Sequence, residues 1–370
     1  MLNLKDNIFT IFIMLGQNCN LNCKYCMQHT LINTIQDKSV INDEIFDFVM
    51  HHADKQSQPI DIRFYGGEPL LYFNDIKDIV FKLKEANVSF SIISNGKLLS
   101  KNIVEFFNNN KFTSCAISWD GKNVLETRHY DVFKQKEDLL LQIKNLNVDG
   151  VISAYNSLDD YIEALLPYQE KYFKLNQKIF PFFNEIIMDA GACFSDLTDF
   201  NYEKVEEQAK NIIDNFLIAT TKINEELTVK DKMYMLLLTM LCQQINNDNK
   251  NYTNSYCANG IHVLNLDLEG NLYQCHNNWI KIGSIYDDYD TYMSKAKKLD
   301  NMAAKNFVDS NCKNCSVLSL CKGGCPLVSS KIRQSTNFCK IRQTLFEPII
   351  NFINDALSVH GDFNKLKGKY

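Results

Sequence analysis

Arginine is scarce in this sequence: Arg63, Arg128, Arg333 and Arg342 are the four in a chain of 370 residues. Bidentate phosphate clamps are correspondingly scarce, and a net charge of −5 supplies no basic face for nucleic acid. Apolar runs of membrane length are also missing. The longest, near Ile8–Leu15 and Met233–Cys242, fall well short of the ~20 residues a spanning helix needs. The first does not read as a secretory signal either, because its flank carries Lys5 and Asp6 and Asn18 is a poor residue for cleavage. Internal repeats are absent. These absences predict a cytoplasmic protein that engages neither nucleic acid nor membrane.

Cysteine, by contrast, is plentiful, with 13 residues. A reducing compartment argues against a disulfide framework and leaves metal binding or catalysis. Three cysteines lie at 19–26 and seven between Cys257 and Cys339, while only Cys115, Cys193 and Cys242 fall between. Two metal-binding regions therefore flank a cysteine-poor body. Hydrophobic residues at 45% and charged residues at 22% are ordinary for a globular chain with room for one large and one smaller domain.

The first half alternates strand-like and helix-like segments. IFTIFIML (8–15), IDIRFYG (60–66), VSFSIIS (88–94), TSCAIS (113–118), VDGVIS (148–153) and KIFPFFNEI (178–186) read as strands. Amphipathic stretches at 42–53, 74–86 and 101–110 separate them, and this alternation implies a parallel sheet. Roughly 180 residues is short for a closed eight-unit barrel of ~250, so an α/β, six-unit open barrel is expected. In IDIRFYG, Ile62 and Phe64 share one face while Asp61, Arg63 and Tyr65 share the other. Arg63 is expected to point inward and to pair with a neighbouring acid. The expected division is a barrel at 1–186, a helical bridge at 187–256 and a cysteine-rich domain at 257–345, then a closing helix and tail at 346–370. The Asn-rich stretch 246–255 reads as a loop and domain boundary. Cys242 lies in an apolar helical stretch and reads as core.

Cys19, Cys23 and Cys26 follow the first strand with C-x3-C-x2-C spacing. Two metal readings compete. His29, three residues beyond Cys26 at C-x2-H spacing, could complete a four-coordinate zinc site. Alternatively, three thiolates hold three corners of a four-iron cluster and leave one iron open. The loop sits at the C-terminal end of a barrel strand, where such folds place their chemistry. With Tyr25 before the third cysteine, the spacing resembles the radical S-adenosylmethionine (SAM) superfamily.

That resemblance implies a partial (β/α)6 TIM-like barrel in which the open iron binds the methionine end of SAM. Reductive cleavage there gives a 5′-deoxyadenosyl radical that abstracts a substrate hydrogen. YGGEP (65–69), SNG (94–96) and SWDG (118–121) lie at the ends of the second, third and fourth strands. The resemblance implies that Tyr25, Gly66, Gly67, Glu68, Ser94 and Ser118 contact SAM, with Glu68 accepting from its amino group. An electron carrier or a zinc-dependent binding module, the readings of another class, would have no use for GGEP or an open-site loop.

The C-terminal spacing is C257-x12-G270-x4-C275, C312-x2-C315-x5-C321-x3-C325, then C339. It resembles the SPASM extension of radical SAM enzymes, which carries two auxiliary four-iron clusters and makes three [4Fe-4S] clusters in all. The resemblance assigns Cys312, Cys315, Cys321 and Cys339 to an outer cluster and Cys257, Cys275 and Cys325 to an inner one. It further implies a peptide or protein substrate, oxidised to a thioether or carbon–carbon crosslink, and an external one-electron reductant of flavodoxin or ferredoxin type. Only 18 residues precede Cys19, so any leader-peptide-binding protein is expected to be separate. Anaerobic sulfatase maturases, which generate formylglycine, are similar in layout, but they carry an Asp where this sequence has His276. His276 is the candidate proton acceptor here.

Overall fold

The computed structural model describes residues 1–30, 40–186, 196–222, 226–245, 260–308, 311–324 and 336–360. Two compact units emerge. The first comprises Met1–Trp119, Arg128–Asp149 and Cys257–Ala303, and the second Asp120–Thr127, Gly150–Tyr256 and Ala304–Tyr370.

The first unit is built on a sheet of eight strands in the order β5-β4-β3-β2-β1-β7-β8-β9. Strands β1 (Thr10–Met14), β2 (Ile60–Tyr65), β3 (Val88–Ser94), β4 (Phe112–Ser118) and β5 (Leu146–Ile152) run parallel. The expected strands thus form within a few residues of their expected bounds. Helices α1 (Glu44–Ala53), α2 (Phe73–Leu83) and α3 (Lys101–Asn109) supply crossovers. Their apolar stripes, such as Ile76, Ile79, Val80 and Leu83 on α2, are buried, as a 3.6-residue period against a sheet requires. Ser100 caps α3 by accepting from the Ile103 amide.

Strand β2 shows how the two faces divide. Ile60, Ile62 and Phe64 are fully buried, whereas Asp61, Arg63 and Tyr65 are half-buried. Phe64, Phe90 and Phe112 sit on three adjacent strands with ring centroids 5.7–6.1 Å apart. Burying each such side chain contributes about 1.5–3 kcal/mol.

The segment from Cys257 departs from the expected organisation. Strand β7 (Val263–Asp267) pairs in parallel with β1, Thr10 opposite Val263. Strands β8 (Asn271–Cys275) and β9 (Asn278–Ser284) follow antiparallel. The hairpin thus extends the barrel sheet and lies in its compact unit. Asp267 shapes the turn, accepting from the Glu269 and Asn271 amides and the Tyr273 hydroxyl.

The second unit takes the end of β5 and adds β6 (Phe182–Ile186). Otherwise it is helical: α4 (Val124–Thr127), α6 (Leu158–Asn176), α7 (Tyr202–Thr221), α8 (Val229–Ile245), α10 (Leu318–Cys321) and α11 (Thr336–His360). Helix α5 (Val132–Leu140) belongs to the first unit, and α9 (Tyr289–Val308) runs from the first into the second. Phe216 of α7 packs against Tyr234 of α8 and Phe352 of α11, each at 6.2 Å between ring centroids. Cys242 is buried on α8, where desolvation pushes its thiol up to about 12. That is the core role expected of it. No described helix is long and apolar enough to cross a membrane.

Candidate active site

The three-cysteine loop leaves the C-terminal end of β1 and is joined to the end of β2 through main chain. Leu15 donates to Tyr65, Gly67 to the Gly16 carbonyl at 2.9 Å, and the Glu68 amide to the Asn18 carbonyl at 2.8 Å. This zipper explains the two glycines. A Cβ at Gly67 would lie 2.3 Å from the Asn18 carbonyl oxygen, and one at Gly66 would lie 2.3 Å from that of Gly16. Close approach is therefore required, as expected, but in this structure what approaches is the stem of the cysteine loop. Within the loop, the Cys26 amide donates to the Cys23 carbonyl at 3.1 Å.

Glu68 is buried and joins three strand ends. Its Oε1 accepts from the Leu70 amide at 3.0 Å and the Ser94 hydroxyl at 2.6 Å, and its Oε2 accepts from the Asn95 amide at 2.8 Å. Desolvation raises its pKa, and these three donors oppose the rise. The Ser94 hydroxyl also accepts from the Gly96 amide at 3.0 Å. Ser94 thus spends its single donor on Glu68. Ser118 ends β4 half-buried, in register with Asp149. Tyr25 is half-buried with the Arg128 guanidinium 5.2 Å from its ring centre.

Two residues at this end escaped the sequence reading. Asn95 donates from Nδ2 to Cys19 Sγ at 3.8 Å and to Asn20 at 2.8 Å, and its Oδ1 accepts from the Lys97 amide. Its signal was the SNG tripeptide, where Asn before Gly reads as a turn. Gln17, two residues before Cys19, is 5% exposed, and both carboxamide atoms are buried without a partner. A polar group left in that state costs about 1–3 kcal/mol unless a bound group meets it.

Strand β8 brings Cys275 and His276 to the β1 and β2 strands. Cys275 is buried and accepts from the Asn277 amide at 3.4 Å, and Asn277 accepts from the Tyr65 hydroxyl at 2.8 Å. The His276 ring stacks on Phe12 at 4.2 Å and meets Tyr65 edge-on at 4.7 Å. Gln28, just beyond the cysteine loop, donates to the His276 carbonyl at 3.3 Å. Desolvation, with the nearby Arg63 charge, lowers the His276 pKa to about 4, and its Nδ1 is buried without a partner. The imidazole is therefore neutral at neutral pH and a weak base. Arg63 donates to Asp61 Oδ2 through Nε at 3.1 Å and Nη2 at 2.7 Å, and to Ser91 at 3.0 Å. The expected neighbouring acid is Asp61.

In the second unit, Cys312 and Cys315 share a turn closed by the Cys315 amide on the Cys312 carbonyl at 3.0 Å. Cys321 ends α10, and Cys339 lies in the first turns of α11. Burial raises the Cys321 and Cys339 thiols, and each also feels Cys312 and Cys315; Arg342 opposes the rise. Gln343 donates to Cys315 Sγ at 3.5 Å. Cys257, Cys325, Cys193 and the His29 side chain lie outside the described residues.

Among the described residues no three His, Cys, Asp or Glu side chains are close enough to share one metal ion. A cluster whose ligands each hold a different iron spreads its thiolates farther than a single ion does. The donor set fits the cluster at the first loop: three cysteines on one loop, none in a disulfide, with the Asn95 amide reaching Cys19.

Parallel strands, a three-cysteine loop after the first of them and a Gly-Gly-Glu segment after the second define a class of enzyme. Residues 13–123 match the Radical SAM superfamily, so the chain carries a radical SAM domain. It is 24% identical, over 91% of its length and 93% of the relative's, to a cysteine-type anaerobic sulfatase-maturating enzyme from Clostridium novyi (strain NT). Its fold is shared with the solved structure of native anSMEcpe with bound AdoMet and Cp18Cys peptide, at a TM-score of 0.65 and 19% identity, covering 96% of this chain and all of that one. Streptococcus suis SuiB bound to precursor peptide SuiA matches at a TM-score of 0.56 and 16% identity, over 90% of this chain and 77% of that one.

Proposed function

We propose that the chain is a radical SAM maturase that oxidises a peptide or protein substrate, forming a thioether or carbon–carbon crosslink. The observation that carries this reading is the stitching of the Cys19–Cys26 loop to Gly66–Glu68 at the ends of β1 and β2, within a radical SAM domain. A cluster held by Cys19, Cys23 and Cys26 supplies, when bound, the electron that splits SAM and starts hydrogen abstraction. Glu68, Ser94 and Asn95 hold the loop and the third strand end in place, while Gln17 presents an unspent carboxamide beside them. Support for a peptide substrate comes from fold relatives solved with bound peptides.

Auxiliary clusters are part of the proposal. Cys312, Cys315, Cys321 and Cys339 would hold the outer one. Cys257, Cys275 and Cys325 would hold the inner one, with no fourth cysteine. An external carrier of flavodoxin or ferredoxin type would exchange single electrons with the enzyme. Formylglycine formation is the second reading, favoured by the likeness to a sulfatase-maturating enzyme along nearly the whole chain. Against it stands His276, in the position where sulfatase maturases carry an Asp.

The test is anaerobic reconstitution followed by assay for 5′-deoxyadenosine. The triple variant Cys19→Ala/Cys23→Ala/Cys26→Ala should form none while keeping auxiliary iron. Unchanged 5′-deoxyadenosine production by that variant would falsify the reading.

A further inference from the structure

Three of the four cysteines assigned to the outer set are followed at once by lysine: Cys312–Lys313, Cys321–Lys322 and Cys339–Lys340. From Cys312 to Gln343 the sequence holds six Lys and Arg residues and no Asp or Glu, in a chain of net charge −5. Lys313 and Lys340 are exposed and Lys322 is half-exposed. The four sulfurs beside them are half-buried, and Cys312 and Cys315 lie close enough to raise the Cys321 and Cys339 thiols. Adjacent residues lie about 3.8 Å apart at Cα, so a lysine backbone flanks each of three sulfur-bearing residues.

Lys322 adds an independent sign. It is held at φ 46° as the C-terminal cap of α10, a conformation glycine adopts without strain and a lysine does not. The two glycines that follow it also have positive φ, so the turn tolerates the lysine although glycine would be cheaper. Arg342, by contrast, is buried and already opposes the charge of the thiolates from within. Exposed lysines do little for a buried charge, but they act over a Debye length of about 10 Å on an approaching molecule. Lys340 lies over the Tyr202 ring at 3.9 Å, and Asp199 is within electrostatic range of that tyrosine.

We propose that the surface carrying these three lysines is the docking surface for an acidic one-electron carrier protein of flavin or iron–sulfur type. The proposal rests on reading these four cysteines as cluster ligands. One electron crosses the contact: the reduced carrier loses it and the cluster gains it, or the reverse when substrate oxidation drives it outward. No bond is made or broken at the interface.

The experiment uses the reconstituted full chain, with reduced flavodoxin as probe and cluster bleaching followed by stopped flow. The variant Lys313→Glu/Lys322→Glu/Lys340→Glu should be reduced about tenfold more slowly at low salt, with the gap closing at high ionic strength. Reduction by the cationic methyl viologen radical should not be slowed. Equal flavodoxin rates for the variant and the parent, or a parent rate insensitive to salt, overturn the proposal. If the triple variant fails to load its clusters, Lys313→Gln/Lys340→Gln carries the same comparison. Iron analysis of Cys312→Ala/Cys315→Ala separates the two readings. Iron and cluster EPR signals unchanged from the parent would remove the outer cluster, and the docking surface with it; loss of one cluster with no charge effect would remove the docking surface alone.

Discussion

Glu68 accepts from donors on its own turn and on the end of β3, so its carboxylate serves first as an acceptor for this chain. Glu68→Gln keeps one acceptor oxygen but turns an NH2 group toward an amide or hydroxyl donor. We expect the apo protein to lose about 1–3 kcal/mol of stability, the usual cost of an unmet buried donor, measured by urea denaturation. An apo protein of unchanged stability that binds SAM more weakly would assign Glu68 to the ligand instead. The sequence singled out Glu68 and Ser94 because GGEP and SNG are short motifs at strand ends. It left Asn95, inside SNG, unread as a site residue, because a side chain's long-range partners leave no trace in periodicity. The same holds for His276, whose stacking on Phe12 joins strands 264 positions apart in sequence.

Helix α1 ties down the N-terminal segment through one histidine. His52 is buried, its Nδ1 donates to the Phe48 carbonyl at 2.8 Å, and its Nε2 accepts from the Leu4 amide at 3.1 Å. Only the neutral ring can do both. Desolvation, the largest cause, lowers its pKa below the ordinary 6.5. The unfolded chain therefore takes up a proton at a higher pH than the folded chain. Stability from this contact is complete above about pH 6.5 and falls as the pH drops below it. The melting temperature should decline between about pH 6.5 and 5, and His52→Gln should flatten that decline. A variant with the same pH slope as the parent would contradict the assignment.

Elements with a clean period were legible: β3 runs from Val88 to Ser94 as read from VSFSIIS, and α1 and α2 fall within two residues at their starts. The closing helix is expected from 346, yet α11 starts at Thr336, because Cys339, Lys340 and Arg342 interrupt its apolar stripe. The partner of β7 was not legible, because its parallel pairing with β1 depends on a strand some 250 residues away.

At the scale of the whole chain, likeness to a sulfatase-maturating enzyme and the chemistry at His276 point in different directions. A sulfatase-derived cysteine peptide should stimulate no formylglycine-type mass change, as read by mass spectrometry after anaerobic turnover. A clear aldehyde product would reverse the order of the two readings.

The place of β1 in the sheet has a consequence for how the protein is made. Thr10 pairs with Asp61 on one side and with Val263 on the other. At about 5–20 residues per second, the second side of β1 waits roughly 13–50 s for its partner to be synthesised. Throughout that interval a strand of five mostly buried residues presents a bare edge of the kind that templates aggregation. The nascent chain thus needs shielding until β7 emerges. Iron loading on the first three cysteines is therefore expected to follow the pairing of β7 with β1.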